Sequence, residues 1–139
     1  MAILFVYCHL ERLPKTRLFC LQWIKQRFSR TTGLLSENRA RQYLEENGLR
    51  FFQSNYHCRT GEIDLVMQDD QEWVFVEVKF RSRSDYGTAA EYFHAAKRKK
   101  FTQAVKHFMH FHRLNPAMVA HRIDLVAIDG DQIQWFKSV

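Results

Sequence analysis

Cysteine, proline and glycine are all scarce here, at three, two and five residues in a chain of 139. The cysteines, Cys8, Cys20 and Cys58, are odd in number and include no Cys-x-x-Cys pair, so neither a disulfide framework nor a cysteine zinc site is indicated. With only two prolines and 46% hydrophobic residues the chain is not of the disordered class, which lacks the apolar area to offset ordering entropy. Long apolar runs are missing too. The stretch from Ala2 to Cys8 is far shorter than a membrane span and follows no basic region of the kind a secretion signal needs. The expectation is a cytoplasmic protein with no transmembrane segment. Its length suits a single folded core and leaves no room for two.

Acidic residues are the minority charge. Lys and Arg outnumber Asp and Glu by 21 to 15, giving a formal net charge of +6 and a pI near 9.4, which favours partners that carry phosphate. The excess is clustered. Arg81, Arg83, Lys97, Arg98, Lys99, Lys100, Lys106 and Arg113 face only Asp85 and Glu91 over the same stretch. A nucleic-acid partner is the expectation, with a merely solvated polar face as its competitor.

Residues 1–32 read as a basic N-terminal extension, with Leu18, Leu21, Ile24 and Phe28 at helical spacing. They suit a helix lying on a membrane surface or on nucleic acid, or a plain accessory helix. The domain proper is expected over residues 33–139. Ser36 is placed to cap a helix from Glu37 to about Asn47, which Gly48 can end in a left-handed conformation. Strands follow at about Leu49–His57, Glu62–Gln68 and Trp73–Phe80, joined by turns at Arg59-Thr60-Gly61 and Asp69–Glu72, an antiparallel meander. Thr88-Ala89-Ala90-Glu91 forms a capping box for one helix, or two in succession, reaching about His112. Strands at Arg122–Ile128 and Ile133–Phe136, around a turn at Asp129-Gly130, close the chain.

Alternation along the third strand puts Glu77 and Lys79 on one face and Val74, Val76 and Val78 on the other. A hairpin turning between Asp70 and Gln71 sets Asp64 opposite Glu77 and Glu62 opposite Lys79. Opposed β-carbons lie about 4.5–5.5 Å apart, so two such carboxylates repel unless a cation compensates. Mg²⁺ takes one or two carboxylates and completes its shell with water and phosphate oxygens. Lys79 is placed to supply the cation when metal is absent. Glu37 shares the inward face of the first helix with Ala40 and Leu44. Two plainer readings compete: cross-strand Glu–Lys pairing on a solvated sheet, and Glu37 simply favoured by the helix dipole.

The segments Gly61-Glu62-Ile63-Asp64-Leu65-Val66 and Val74-Phe75-Val76-Glu77-Val78-Lys79-Phe80-Arg81 resemble the signature of the YraN-like family of uncharacterised bacterial proteins, within the PD-(D/E)xK superfamily. The likeness extends from about Gly33 to the C-terminus and takes in Ala40, Leu44, Tyr86-Gly87, Lys97 and Arg122-Ile123-Asp124. It implies an α/β fold of restriction-endonuclease-like type, an α-β-β-β-α-β core with a mixed sheet flanked by helices. It also implies a site in which Asp64, Glu77 and the Val78 carbonyl hold Mg²⁺ or Mn²⁺, with Lys79 beside the attacking water. Glu37 matches the first-helix glutamate of members resembling Holliday junction resolvases. The function so implied is a metal-dependent endonuclease acting on branched or otherwise structured DNA, and a homodimer is compatible with it. A nucleic-acid-binding module without turnover is the alternative, because fold does not fix activity.

Arg59, Arg81, Arg83, Lys97, Arg98, Lys99 and Lys106 are the candidate nucleic-acid contacts. On the long helix Phe101, Ala104, Val105, Phe108 and His112 form the apolar stripe, opposite Lys99, Gln103, Lys106, His110 and Arg113. His107-x-x-His110-x-His112 is a poor metal cluster, since His112 points away from His110 at 100° per residue.

Overall fold

The computed structural model describes residues 33–81 and 93–139, with Arg81 described in its backbone only. The expectations for residues 1–32, for the Thr88 capping box, for Tyr86-Gly87 and for Arg83 lie outside the described residues.

Helix α1 spans 33–46. Gly48 ends it with φ of +95°, and the amides of Gly48 and Leu49 bond back to the carbonyls of Glu45 and Leu44, the left-handed stop that glycine permits. Ser36 is not the cap. Residue 33 is already helical, so Ser36 lies inside the helix and is buried.

The strands are β1 (Arg50–Cys58), β2 (Gly61–Asp69) and β3 (Glu72–Arg81). Helix α2 follows (Ala95–Phe111), then β4 (His121–Asp129) and β5 (Gln132–Phe136). The order α-β-β-β-α-β is the one the resemblance implied, extended by a fifth strand. The strands form one mixed sheet in sequence order, antiparallel except where β3 runs parallel to β4. A parallel neighbour requires a crossover, and α2 lies within it.

Each face of the sheet buries its own cluster. Val74 and Val76 of β3 pack with Ala40 and Leu44 of α1, while Phe75 packs with Phe101, Ala104, Val105 and Phe108 of α2. β4 divides in the same way, with Val126 and Ile128 on the α1 side and Leu125 and Ala127 on the α2 side. Strands covered on both faces are apolar at successive positions, as β3 and β4 are. Burying each large side chain of this kind contributes roughly 1.5–3 kcal/mol.

On α2, Met109 joins the buried stripe, whereas His112 is half-buried against the Phe108 ring. The three histidines disperse, His107 accepting or donating a 2.6 Å bond with the Tyr56 hydroxyl.

At the turn end of the β2–β3 hairpin, Arg122 of β4 reaches Asp69 at 2.9 Å and also engages Glu72. Its Nε is 3.2 Å from both oxygens of the fully buried Asp124. Trp135 Nε1 and the Ser138 amide complete the shell of Asp124, each at 3.0 Å. A buried carboxylate with four donor contacts is satisfied and structural.

Candidate functional site

The hairpin register is the expected one near the turn, with Asp69 opposite Glu72 and Leu65 opposite Val76. There the rungs end. Asp64 and Glu77 do not pair through their backbones; the Asp64 carboxylate instead accepts a 2.7 Å hydrogen bond from the Val78 amide. Beyond the parting, β2 pairs with β1, Ile63 opposite Tyr56, and β3 pairs with β4, Glu77 opposite Leu125. Side-chain alternation breaks at the same place, since Ile63 packs on the α2 side with Val66 while Leu65 and Met67 pack on the α1 side.

Across β1 from this point, Asn55 has φ of +52°, the left-handed region that asparagine tolerates better than most residues. In that conformation its Nδ2 donates at 2.7 Å to Glu37 Oε2 on α1. Glu37 is thereby oriented, and its charge is felt at Asp64. Three carboxylates, from α1, β2 and β3, are brought to one region of the fold.

Their electrostatics follow from the burial. Desolvation, together with Glu77 and Glu37, pushes the Asp64 carboxyl up to about 7, against the opposing pull of the Val78 amide and Lys97. Glu77 is only 2% exposed. Burial raises its pKa above the usual carboxylate range, and Lys97 and Lys79 offset only part of the rise. The direct ion pair to Glu77 comes from Lys97 Nζ in the first turn of α2. Lys79, expected to be the compensating cation, acts on Glu77 through its field.

The height of α2 is fixed by a close approach. A β-carbon on Gly61 would lie 2.8 Å from the Lys100 carbonyl oxygen, so only glycine lets the helix sit this near β2. Lys97, a turn earlier, is thereby held over Glu77. A cavity of about 420 Å³ opens beside them, bounded by Arg59 and Thr60 of the β1–β2 turn, by Glu77, and by Lys97 and Lys100 of α2.

The remaining sequence candidates are distributed along α2. Lys99 and Lys106 are exposed and, with Arg98, Thr102 and Gln103, border a shallow groove. Arg98 also donates to the Val139 carbonyl at 2.9 Å, tying down the C-terminus.

Among the described residues no three His, Cys, Asp or Glu side chains already converge as a closed metal cage. The donor set is nonetheless of the right chemistry for a hard divalent ion that keeps much of its water, because such ions use one or two carboxylates. Asp64 and Glu77 provide two, neither fully neutralised by the protein.

A profile described as uncharacterised protein family UPF0102 matches residues 36–128. The chain belongs to the UPF0102 family. A UPF0102 protein of Shewanella pealeana is 42% identical over 106 residues, 76% of this chain and 92% of the relative. One from Shewanella sediminis is 43% identical over 106 residues, 76% and 88% of the two chains. A third, from Colwellia psychrerythraea, is 39% identical over 118 residues, 82% and 92%. The family is the YraN-like one whose signature the strands β2 and β3 resemble.

Within this UPF0102 domain two site residues escaped sequence reasoning. Asn55 carries no local signal, since its role depends on a left-handed backbone and on Glu37, distant in sequence. Lys100 was visible only as one basic residue among several, and its place on the cavity wall follows from the contact of α2 with Gly61. Among the described residues no helix is long and apolar enough to cross a membrane.

Proposed function

We propose that this domain is a Mg²⁺- or Mn²⁺-dependent endonuclease that hydrolyses phosphodiester bonds in DNA, with branched or structured DNA as the substrate class. The observation that carries the reading is the meeting of half-buried Asp64 and buried Glu77, two incompletely neutralised carboxylates, where β2 and β3 part.

Asp64, Glu77 and the Val78 carbonyl are the groups assigned to hold the metal, which when bound supplies Lewis-acid polarisation of the phosphate and a lowered water pKa. The Val78 amide keeps Asp64 in place by its hydrogen bond. Lys79, with donors and no lone pair, cannot be a ligand; its ammonium orients the attacking water and stabilises charge developing on the phosphate. Glu37, whose carboxylate accepts a hydrogen bond from Asn55, is assigned a role through solvent on the same water. Arg59 flanks the cavity, and the α2 groove offers Lys99 and Lys106 to the phosphate backbone.

The test is cleavage of linear, nicked, flapped and four-way DNA with Mg²⁺, with Mn²⁺ and with chelator. Metal-dependent cleavage that is lost in Asp64→Asn and Glu77→Gln supports the proposal. The exposed basic groove of α2 favours a second reading, binding without turnover. That reading expects salt-sensitive DNA affinity, weakened by Lys99→Ala and Lys106→Ala, and no cleavage of any substrate under any metal condition.

A further inference from the structure

Glu77 and Lys97 differ in a way that gives their ion pair a direction. Glu77 is fixed in the middle of β3 and almost wholly buried, whereas the Lys97 side chain is 33% exposed on a flexible stem. Lysine can leave; glutamate cannot. Both residues line the cavity of about 420 Å³, whose wall also carries Arg59, Thr60 and Lys100. Lys97 therefore has a path from Glu77 into a space bordered by the cations Arg59 and Lys100 and by one further acid, Glu62.

An ammonium and a divalent cation cannot both approach one carboxylate oxygen closely without strong mutual repulsion. Lys97 also bears on Asp64, so its charge serves both acids. Lys79 engages Glu77 through its field and leaves the direct contact to Lys97.

We propose that Lys97 is a place-holder cation that competes with the divalent ion for Glu77, and that metal loading releases its ammonium into the cavity toward a substrate phosphate. The proposal rests on the reading of Asp64 and Glu77 as a metal site. In the metal-free protein Lys97 offsets part of the repulsion between the two acids, and in the loaded protein the same charge faces the substrate.

The experiment is calorimetric titration of Mg²⁺ and of Mn²⁺ into the full chain at one fixed pH, with metal-free thermal unfolding measured in parallel. Lys97→Met should bind metal about tenfold or more tightly than wild type, the order expected when a close counter-charge of a buried carboxylate is removed. It should also melt lower without metal and gain more on adding Mn²⁺. Lys97→Arg keeps the charge and should bind metal no more tightly than wild type. Lys100→Met removes a charge from the same cavity one turn along and should change affinity by less than about threefold, since its charge is screened by solvent. Where Lys97→Met does not fold, Lys97→Gln takes its place. Saturable binding with equal affinity in wild type and Lys97→Met overturns the proposal alone. Equal tightening in Lys97→Arg or Lys100→Met overturns it as well. No saturable binding in any of the proteins overturns the metal site itself and the proposal with it.

Discussion

Asp64 is anchored not to Glu77 but to the residue after it, through a 2.7 Å bond from the Val78 amide. One acid is thus tied to the backbone that carries the other. The bond takes up one acceptor site on Asp64 and leaves its second oxygen for a cation. Burial and charge repulsion are tolerated because the backbone, and not mutual attraction, holds the groups together.

The first prediction concerns pH. Asp64 is raised to about 7, so the folded state holds more protons than the unfolded chain above the ordinary carboxylate value. The Asp64 contribution to metal-free stability is therefore fully present below about pH 4 and is lost as the pH rises from there through about 7, by an amount on the order of 4 kcal/mol. Asp64→Asn, which keeps an oxygen for the Val78 amide, should flatten this decline, and saturating Mn²⁺ should reverse it. Thermal unfolding across the range with and without metal is the measurement. A metal-free stability that climbs steadily over the same interval contradicts the assignment.

A second prediction separates binding from chemistry at Lys79. Lys79→Ala should keep metal affinity and DNA affinity near wild type while lowering single-turnover cleavage by about 10²-fold, a typical loss for one preorganised electrostatic group. Wild-type cleavage in Lys79→Ala would remove Lys79 from the catalytic set and leave the metal site untouched.

Gly61 provides a third. An added β-carbon meets the Lys100 carbonyl, a backbone atom that cannot rotate away. Gly61→Ala should cost about 1–3 kcal/mol in chemical denaturation, the usual range for overpacking. By displacing α2 it should also weaken the hold of Lys97 on Glu77. Unchanged stability means that α2 can move outward freely.

Arg122 gives the fourth. It serves Asp69, Glu72 and buried Asp124 at once. Arg122→Met leaves Asp124 without its guanidinium and should destabilise the fold by about 3–5 kcal/mol, as breaking a buried pair on one side does. Asp124→Asn together with Arg122→Met should recover part of the loss. Equal stability of the single and double variants would show that Asp124 is carried by Trp135 and Ser138 alone.

Much of this fold is legible in the sequence because alternation and turn chemistry are local. The polar turn at Asp70 and Gln71 fixed the hairpin, and with it the register from Leu65 to Asp69. The same symmetry misleads at Asp64, where it demands a rung with Glu77; strands part when outer neighbours compete for them, and no local pattern records that competition. Ser36 resembled a cap because capping residues and small buried residues overlap in type. The Lys97–Glu77 pair joins residues 20 apart in sequence, across the β3-to-α2 connection. Spacing cannot predict it, since it depends on how closely α2 rides on Gly61.

A two-pronged fork is held at its handle. The β2–β3 hairpin has a handle gripped by Arg122 at Asp69 and Glu72, and Asp64 and Glu77 sit where its prongs part. Each prong is braced from outside, β1 supporting the first through Tyr56 and Ile63, and β4 the second through Leu125 and Glu77. The gap between the acids is thus set by the two outer braces and by the Asp64–Val78 bond that spans it, and not by whatever fills it. Emptying the gap need not collapse it, and changes of sequence in either brace can widen or narrow it without altering either acid.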